Sequence, residues 1–253
     1  MSLFDLTGKV AVITGSTRGI GKAIAEQLAE HGAKVVISSR KAGPCDEVAA
    51  AINAKHPGAA IAIPASISSK DDLQRLIDET RKAFGKIDVL VCNAAVNPYY
   101  GPMAGISDEA FRKILDSNII ANNWLVNMVA PEMKERRDGA IIIVSSVGGL
   151  RGNPVIGAYC ISKAADMQMA RNHAVELSPH NIRVNCIAPG LVKTDFAKAL
   201  WETPEAEKRS SQNTPLRRLG EPDDIAGMAV LLASRAGAWI TGQSMVIDGG
   251  DTA

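Results

Sequence analysis

Short apolar runs alternate with stretches of helical spacing along the whole chain. Residues 9–14 (KVAVIT), 34–39 (KVVISS), 60–64, 87–92 (IDVLVC), the run ending at Ser145, 183–187 (RVNCI) and 244–247 have strand length. Between them, residues 20–31, 46–55, 70–84, 108–136, 158–176 and 223–233 carry apolar positions at helical spacing. Runs such as Ile141-Ile142-Ile143-Val144 do not alternate, so both of their faces are expected to be covered. Repeated strand–helix units predict a parallel seven-stranded sheet with right-handed crossovers and helices on both faces. The expected class is α/β, doubly wound, with residues 1–253 as one domain.

The first strand–helix junction is Thr14-Gly15-Ser16-Thr17-Arg18-Gly19-Ile20-Gly21. Glycines here allow a tight turn and a close backbone approach, and the following helix presents unpaired N–H groups and a positive dipole end to phosphates. The pattern is Gly-x-x-x-Gly-x-Gly. Its position after the first strand marks a Rossmann-type dinucleotide site. A site that holds a ribose 2′-hydroxyl places an acid near the end of the second strand. This chain has Ser38, Ser39, Arg40 and Lys41 there, with Arg18 in the glycine loop. Guanidiniums and a hydroxyl suit a 2′-phosphate, so NADP(H) is expected over NAD(H).

A second cluster follows the fifth apolar run. Ser145 and Ser146 stand at its carboxyl end, where open α/β sheets bind ligands. Tyr159 and Lys163 are four apart on the next helix and share a face. A cation near a phenol favours phenolate and lowers the phenol's pKa, so Tyr159 is expected to serve as an acid/base, with Ser146 hydrogen-bonding the same substrate oxygen.

Composition narrows the alternatives. Lys+Arg 28 against Asp+Glu 27 gives a net charge of +1, and no long basic block argues for nucleic acid or an anionic membrane. The four cysteines show no C-x-x-C pair or metal spacing, and the four histidines are scattered, so no metal site is expected. No signal peptide and no long apolar segment is evident, and Asp251-Thr252-Ala253 is no peroxisomal tripeptide, so a reducing cytoplasm is expected.

Together these residues resemble the short-chain dehydrogenase/reductase family over essentially the whole chain. Residues 14–21 match its cofactor loop, and Asn118, Ser146, Tyr159 and Lys163 match its catalytic tetrad. Pro189-Gly190-Leu191-Val192-Lys193-Thr194 looks like its nicotinamide-side motif, with Val192 and Thr194 toward the carboxamide. The resemblance implies that Lys163 also holds the nicotinamide ribose. It further implies that Asn118 anchors a water linking Lys163 to solvent. Asn93 and Ala94 are expected on the adenosine side, although Cys92-Asn93-Ala94-Ala95 replaces the usual Asn-Asn-Ala-Gly. Ser66, followed by Ile67, stands where an Asp commonly meets the adenine. The implied cofactor set is Gly15, Thr17, Arg18, Gly19, Ile20, Gly21, Ser39, Arg40, Ser66, Ile67, Asn93, Ala94, Tyr159, Lys163, Pro189, Gly190, Val192 and Thr194. Shorter matches, Asn93 to Pro98 and Ser38-Ser39-Arg40 among them, look like the tetrameric NADPH-dependent carbonyl reductases.

The expected activity is hydride transfer between NADP(H) and a ketone or aldehyde, or a secondary alcohol. Residues 194–216 read as a lid-like segment, broken at Pro204. Phe196, Leu200, Trp201, Tyr99, Tyr100, Leu150 and Ile156 are candidate apolar walls. A second reading is 3-oxoacyl reduction on acyl-carrier protein, with Arg136 and Arg137 as docking cations. A third is a dinucleotide-binding scaffold without turnover. The long helices 108–136 and 158–176, apolar on more than one face, together with the resemblance suggest a homotetramer.

Overall fold

A computed structural model describes residues 2–253. The chain runs β1 (Val10–Thr14), α1 (Gly19–Glu30), β2 (Lys34–Ser38), α2 (Ala42–Lys55), β3 (Ala60–Ala62), α3 (Lys70–Phe84) and β4 (Val89–Cys92). It continues through α4 (Asp108–Leu115), α5 (Ala121–Arg136), β5 (Gly139–Val144), α6 (Gly157–Leu177), β6 (Ile182–Pro189), α7 (Pro204–Asn213), α8 (Pro222–Ala233) and β7 (Ser244–Ile247). The expected sheet is present: seven strands, all pairings parallel, in the order β3-β2-β1-β4-β5-β6-β7.

The strand side chains explain the layers. Ala11 and Ile13 of β1 pack to one face and Val12 to the other. In β5, Ile142 joins the first core, and Ile141 and Ile143 join the second. The first core lies under α1, α2 and α8, and the second under α3, α5 and α6. Because β1 is flanked by β2 on one side and β4 on the other, the chain changes direction there. A crevice opens outside the carboxyl ends of strands at such a switch point.

Three local readings differ from the sequence expectation. Helix α2 begins four residues before position 46, and Pro44 fits because it lies in the first turn, where its missing N–H costs nothing. The single helix expected over 108–136 is interrupted by a π-helical turn, Asp116–Ile120, in which the N–H of Ala121 bonds the Asp116 carbonyl. Pro204 does not break a helix but starts one. It occupies the first turn of α7, and the Thr203 hydroxyl caps that turn by accepting from the N–H of Ala206 at 3.2 Å.

Candidate active site

The crevice is a cleft of about 1110 Å³ that runs from the β1–α1 loop to the 194–216 segment. All eighteen residues of the implied cofactor set line it, as does Ser146. Asn118 does not. It is fully buried behind the wall.

At one end the backbone shapes the cleft. Gly15 and Gly19 have φ of +67° and +52°, the left-handed region that favours glycine. A Cβ on Gly21 would lie 2.4 Å from Asn93 Nδ2 and 2.4 Å from the Gly15 carbonyl oxygen. That crowding has a cause: the Asn93 amide donates to the carbonyls of Thr14 (2.9 Å) and Gly15 (3.2 Å), fastening β4 to the loop. No side chain caps the first turn of α1, so its N–H groups remain available beside the glycines. This cradle fits a pyrophosphate. At the end of β2, Arg40 is exposed and makes no ion pair or hydrogen bond among the described residues. Arg18 pairs with Asp195 at 3.3 Å instead, tying the glycine loop to the 194–216 segment. Ser66 lines the cleft, and its N–H donates at 2.9 Å to the carboxylate of Asp72, in the first turn of α3.

At the middle, Ser146, Tyr159 and Lys163 converge. The Ser146 hydroxyl accepts from the Gly148 N–H at 3.0 Å, and Ser146 and Tyr159 line the same stretch of the cleft. Lys163 Nζ sits 5.6 Å from the Tyr159 ring centre. It donates to the Val144 carbonyl at 2.9 Å and to Asp166 Oδ2 at 2.9 Å. The phenol departs from the sequence expectation: burial pushes it above its ordinary value, Lys163 pulls against that, and Asp166 adds to the rise. Lowering by Lys163 is real but smaller than the cost of burying a phenolate. Burial also works against the Lys163 ammonium, but Asp166 and Tyr159 outweigh it and hold the amine above its ordinary value.

Asn118 occupies the π-helical turn. Its Oδ1 accepts from the Val96 N–H at 2.8 Å, and its Nδ2 donates to the Val96 carbonyl at 3.1 Å and to Ser162 Oγ at 3.0 Å. It thus fixes the loop after β4 against α6. Sequence reasoning passed over Asp166 and Asn122. The Ser145 hydroxyl donates to the Lys163 carbonyl at 2.7 Å. A charged residue three positions after Lys163, on the buried face of α6, was the available signal for Asp166.

The substrate end is walled by side chains. Phe196 packs against Tyr159 with ring centres 5.8 Å apart, and Leu200, Ile156 and Tyr100 also line the cleft. Three candidates do not. The Trp201 indole donates to the Thr194 carbonyl at 3.2 Å, the Tyr99 hydroxyl to the Pro102 carbonyl at 2.9 Å, and Leu150 faces solvent. Arg151 and Asp251 form an ion pair at the mouth. Arg136 and Arg137 lie before β5, at the end remote from Ser146. They are engaged by Glu132, the Ile87 carbonyl and the Pro179 carbonyl. Among the described residues no helix is long and apolar enough to cross a membrane, and no group of His, Cys, Asp or Glu is placed to hold a metal ion.

Comparison with known proteins agrees with this geometry. A family model described as enoyl-(acyl carrier protein) reductase matches residues 15–252. The chain is 42% identical over 245 residues to dehydrogenase/reductase SDR family member 4 of Oryctolagus cuniculus, covering 97% of this chain and 94% of that protein. Among solved structures it resembles a 7α-hydroxysteroid dehydrogenase complexed with NADH and 7-oxo glycochenodeoxycholic acid (TM-score 0.93, 39% identity, 98% and 95% of the two chains). It also resembles a gluconate 5-dehydrogenase from Burkholderia cenocepacia J2315 in complex with NADP and tartrate (TM-score 0.93, 30% identity, 98% and 97%). Sheet order, glycine cradle and matched sequence agree: the chain belongs to the short-chain dehydrogenase/reductase family, oxidoreductases that use a nicotinamide dinucleotide.

Proposed function

We propose that this protein is an NADP(H)-dependent carbonyl reductase or alcohol dehydrogenase in which Tyr159 is the acid/base. The observation that carries the reading is the convergence of Ser146, Tyr159 and Lys163 on the wall of a cleft whose far end is the glycine cradle. The cofactor, when bound, supplies or accepts the hydride. Gly15, Thr17, Gly19, Ile20 and Gly21 would hold its pyrophosphate, Asn93, Ala94, Ser66 and Ile67 its adenosine, and Pro189, Gly190, Val192 and Thr194 its nicotinamide. Ser39 and Arg40 support NADP(H), because an unpaired guanidinium beside a hydroxyl suits a 2′-phosphate and repels nothing on it. Arg18 contributes less to that choice, since it is turned toward Asp195.

In reduction, Ser146 hydrogen-bonds the substrate oxygen, and Tyr159 donates its phenolic proton to that oxygen as negative charge develops there. In oxidation the same phenol must first lose its proton. Lys163 stabilises the phenolate, and Asn118 holds the Val96 loop and α6 in register. The walls formed by Phe196, Leu200, Ile156 and Tyr100 favour an apolar ketone or aldehyde, or the matching secondary alcohol. The 7-oxo steroid conjugate named with the similar hydroxysteroid dehydrogenase is a ketone of that kind. The family model's description is compatible with an acyl-thioester substrate. Docking of an acyl carrier finds no support in Arg136 and Arg137, which face away from the cleft mouth and are already paired.

We read residues 1–253 as one cofactor-binding domain with 194–216 as a lid-like segment over the cleft. Four free thiols suit a reducing cytoplasm. Ile161 and Val175 on α6, and Trp239 before β7, are exposed apolar side chains that support assembly as a homotetramer, which light scattering tests.

Tyr159→Phe tests the central claim. It should keep NADPH binding and lose about 10²- to 10⁴-fold in kcat. The pH dependence adds a sign. Because burial holds the phenol above its ordinary value, reduction should be level through neutral pH and fall in the alkaline range, while oxidation climbs over that range. Surviving turnover in the Phe variant, or reduction that collapses in the neutral range, contradicts the assignment.

A further inference from the structure

Asp166 is a buried charge beside the site that the mechanism above does not use. It lies one turn beyond Lys163 on α6, and the side chains of Lys163 and Asp166 are 2% and 0% exposed. Its Oδ2 accepts from Lys163 Nζ at 2.9 Å, and its Oδ1 accepts from Asn122 Nδ2 at 3.2 Å. The same Asn122 amide donates to the Asn118 carbonyl at 2.7 Å. The chain Lys163–Asp166–Asn122–Asn118 therefore links α6 to the π-helical turn through buried hydrogen bonds. The remaining titratable neighbours are Tyr159 on α6, Cys92 on β4 and Cys186 on β6, and burial keeps both thiols protonated. Cys160, next to Tyr159, is likewise pushed up by burial. No other cation reaches the carboxylate among the described residues.

A buried ion pair is a poor stabiliser, because the desolvation of both charges offsets their attraction. A carboxylate kept here calls for another explanation, and the geometry of the amine offers one. An ammonium has three N–H groups. The Val144 carbonyl takes one and Asp166 takes another, leaving one for the cleft that Lys163 lines. Without its anion, an ammonium this deeply buried would give up its proton readily, and a neutral amine stabilises no phenolate.

Resting on the Tyr159 reading, we infer that Asp166 is a positioning residue for the reaction: its ion pair aims Lys163 at the cleft and keeps it cationic, and Asn122 fixes the carboxylate in turn. Asp166 has two opposed effects on Tyr159. Its own charge, acting directly, disfavours phenolate; its hold on Lys163 favours it. The hold dominates, because the lysine's charge acts on the phenol more strongly than that of Asp166.

The test is Asp166→Asn, which keeps the shape and an acceptor for Lys163 but removes the charge. NADPH affinity, thermal unfolding, and pH profiles of kcat in both directions are measured on the full chain. The expected result is native-like folding and a midpoint of the oxidation profile moved up by roughly one pH unit, about tenfold in rate at a fixed pH on the rising limb. Asn122→Ala, which removes the second donor to the carboxylate together with the bond to the Asn118 carbonyl but leaves the Asp166 charge in place, should move the midpoint the same way by less. It serves in place of Asp166→Asn if that variant does not fold. A midpoint unchanged or moved down in the folded variant overturns the inference. The two claims fail separately: turnover surviving in Tyr159→Phe sinks the parent reading, whereas an inactive Tyr159→Phe beside an unshifted Asp166→Asn sinks only the role of Asp166.

Discussion

The two ends of the cleft are built in different ways. At the glycine loop, shape is set by backbone. Three glycines, an uncapped helix terminus and the Asn93 amide leave no room for an added methyl. At the 194–216 segment, shape is set by half-exposed side chains on a short 3-10 turn and on α7, which buries none of its residues. The first end is held by hydrogen bonds that reach β1 and β4; the second is held by Arg18–Asp195, the Trp201–Thr194 bond and Arg151–Asp251. A rigid end suits a ligand that never changes, and a loosely walled end suits a substrate that differs between relatives. The two ends should therefore respond unequally to substitution.

Gly21→Ala is the largest expected break. The new methyl meets the Asn93 amide and the Gly15 carbonyl, so either the β4 anchor or the loop must move. Overpacking of this kind costs about 1–3 kcal/mol. Cofactor titration should show affinity reduced by tenfold or more, with a lower Tm. Retained affinity would mean that the rigid end is less rigid than its contacts imply. Arg40→Asp should come next. It leaves the cradle intact but trades a cation for an anion, and charge-assisted hydrogen bonds are worth about 1.5–3 kcal/mol. The ratio of kcat/KM for NADPH over NADH should fall about 10- to 100-fold. A wild type that already favours NADH refutes the reading of this loop.

The unequal construction also explains which parts were legible in the sequence. Strand runs and the glycine loop read directly, since β-branched runs and left-handed glycines follow from local sterics. Tyr159 and Lys163 share a helix face by spacing alone. Asn118 was harder to read, because the π-helical turn that aims it depends on Val96 and Ser162, residues distant in sequence. Asp166 was invisible as a partner because its burial comes from α5 and β6 closing over α6. Trp201 looked like a pocket wall and proved to be an indole capping a carbonyl, a choice that hydrophobicity does not encode. The tyrosine's pKa was expected to fall because the cation is a sequence neighbour, while the burial that outweighs it is a tertiary property.

Phe196→Ala probes the loosely walled end. Its ring touches Tyr159 yet is 44% exposed, so little core is lost. Truncation of so exposed a ring should change stability by less than about 1 kcal/mol. KM for apolar ketones should rise several-fold, and NADPH affinity should stay unchanged. A loss of cofactor affinity as large as the rise in KM would show that the two ends, tied by Arg18–Asp195, respond as one.

The smallest effect is expected at Arg151–Asp251. This pair has the same charges as Lys163–Asp166, but it sits at the cleft mouth, with side chains 51% and 25% exposed. Water screens it and both side chains give up conformational freedom to form it, so exposed pairs contribute about 0.2–1 kcal/mol. Arg151→Ala should therefore move the thermal transition barely at all, and added salt should erase the remaining difference from wild type. The buried pair obeys the opposite logic: salt does not reach it, and removing one charge leaves the other buried without its counter-ion. Thermal melts of Arg151→Ala and Asp166→Asn, each at low and high salt, measure that contrast directly. A salt-insensitive loss at Arg151 would show that the mouth is closed against solvent, and the substrate end would then have to be counted among the rigid parts of the molecule.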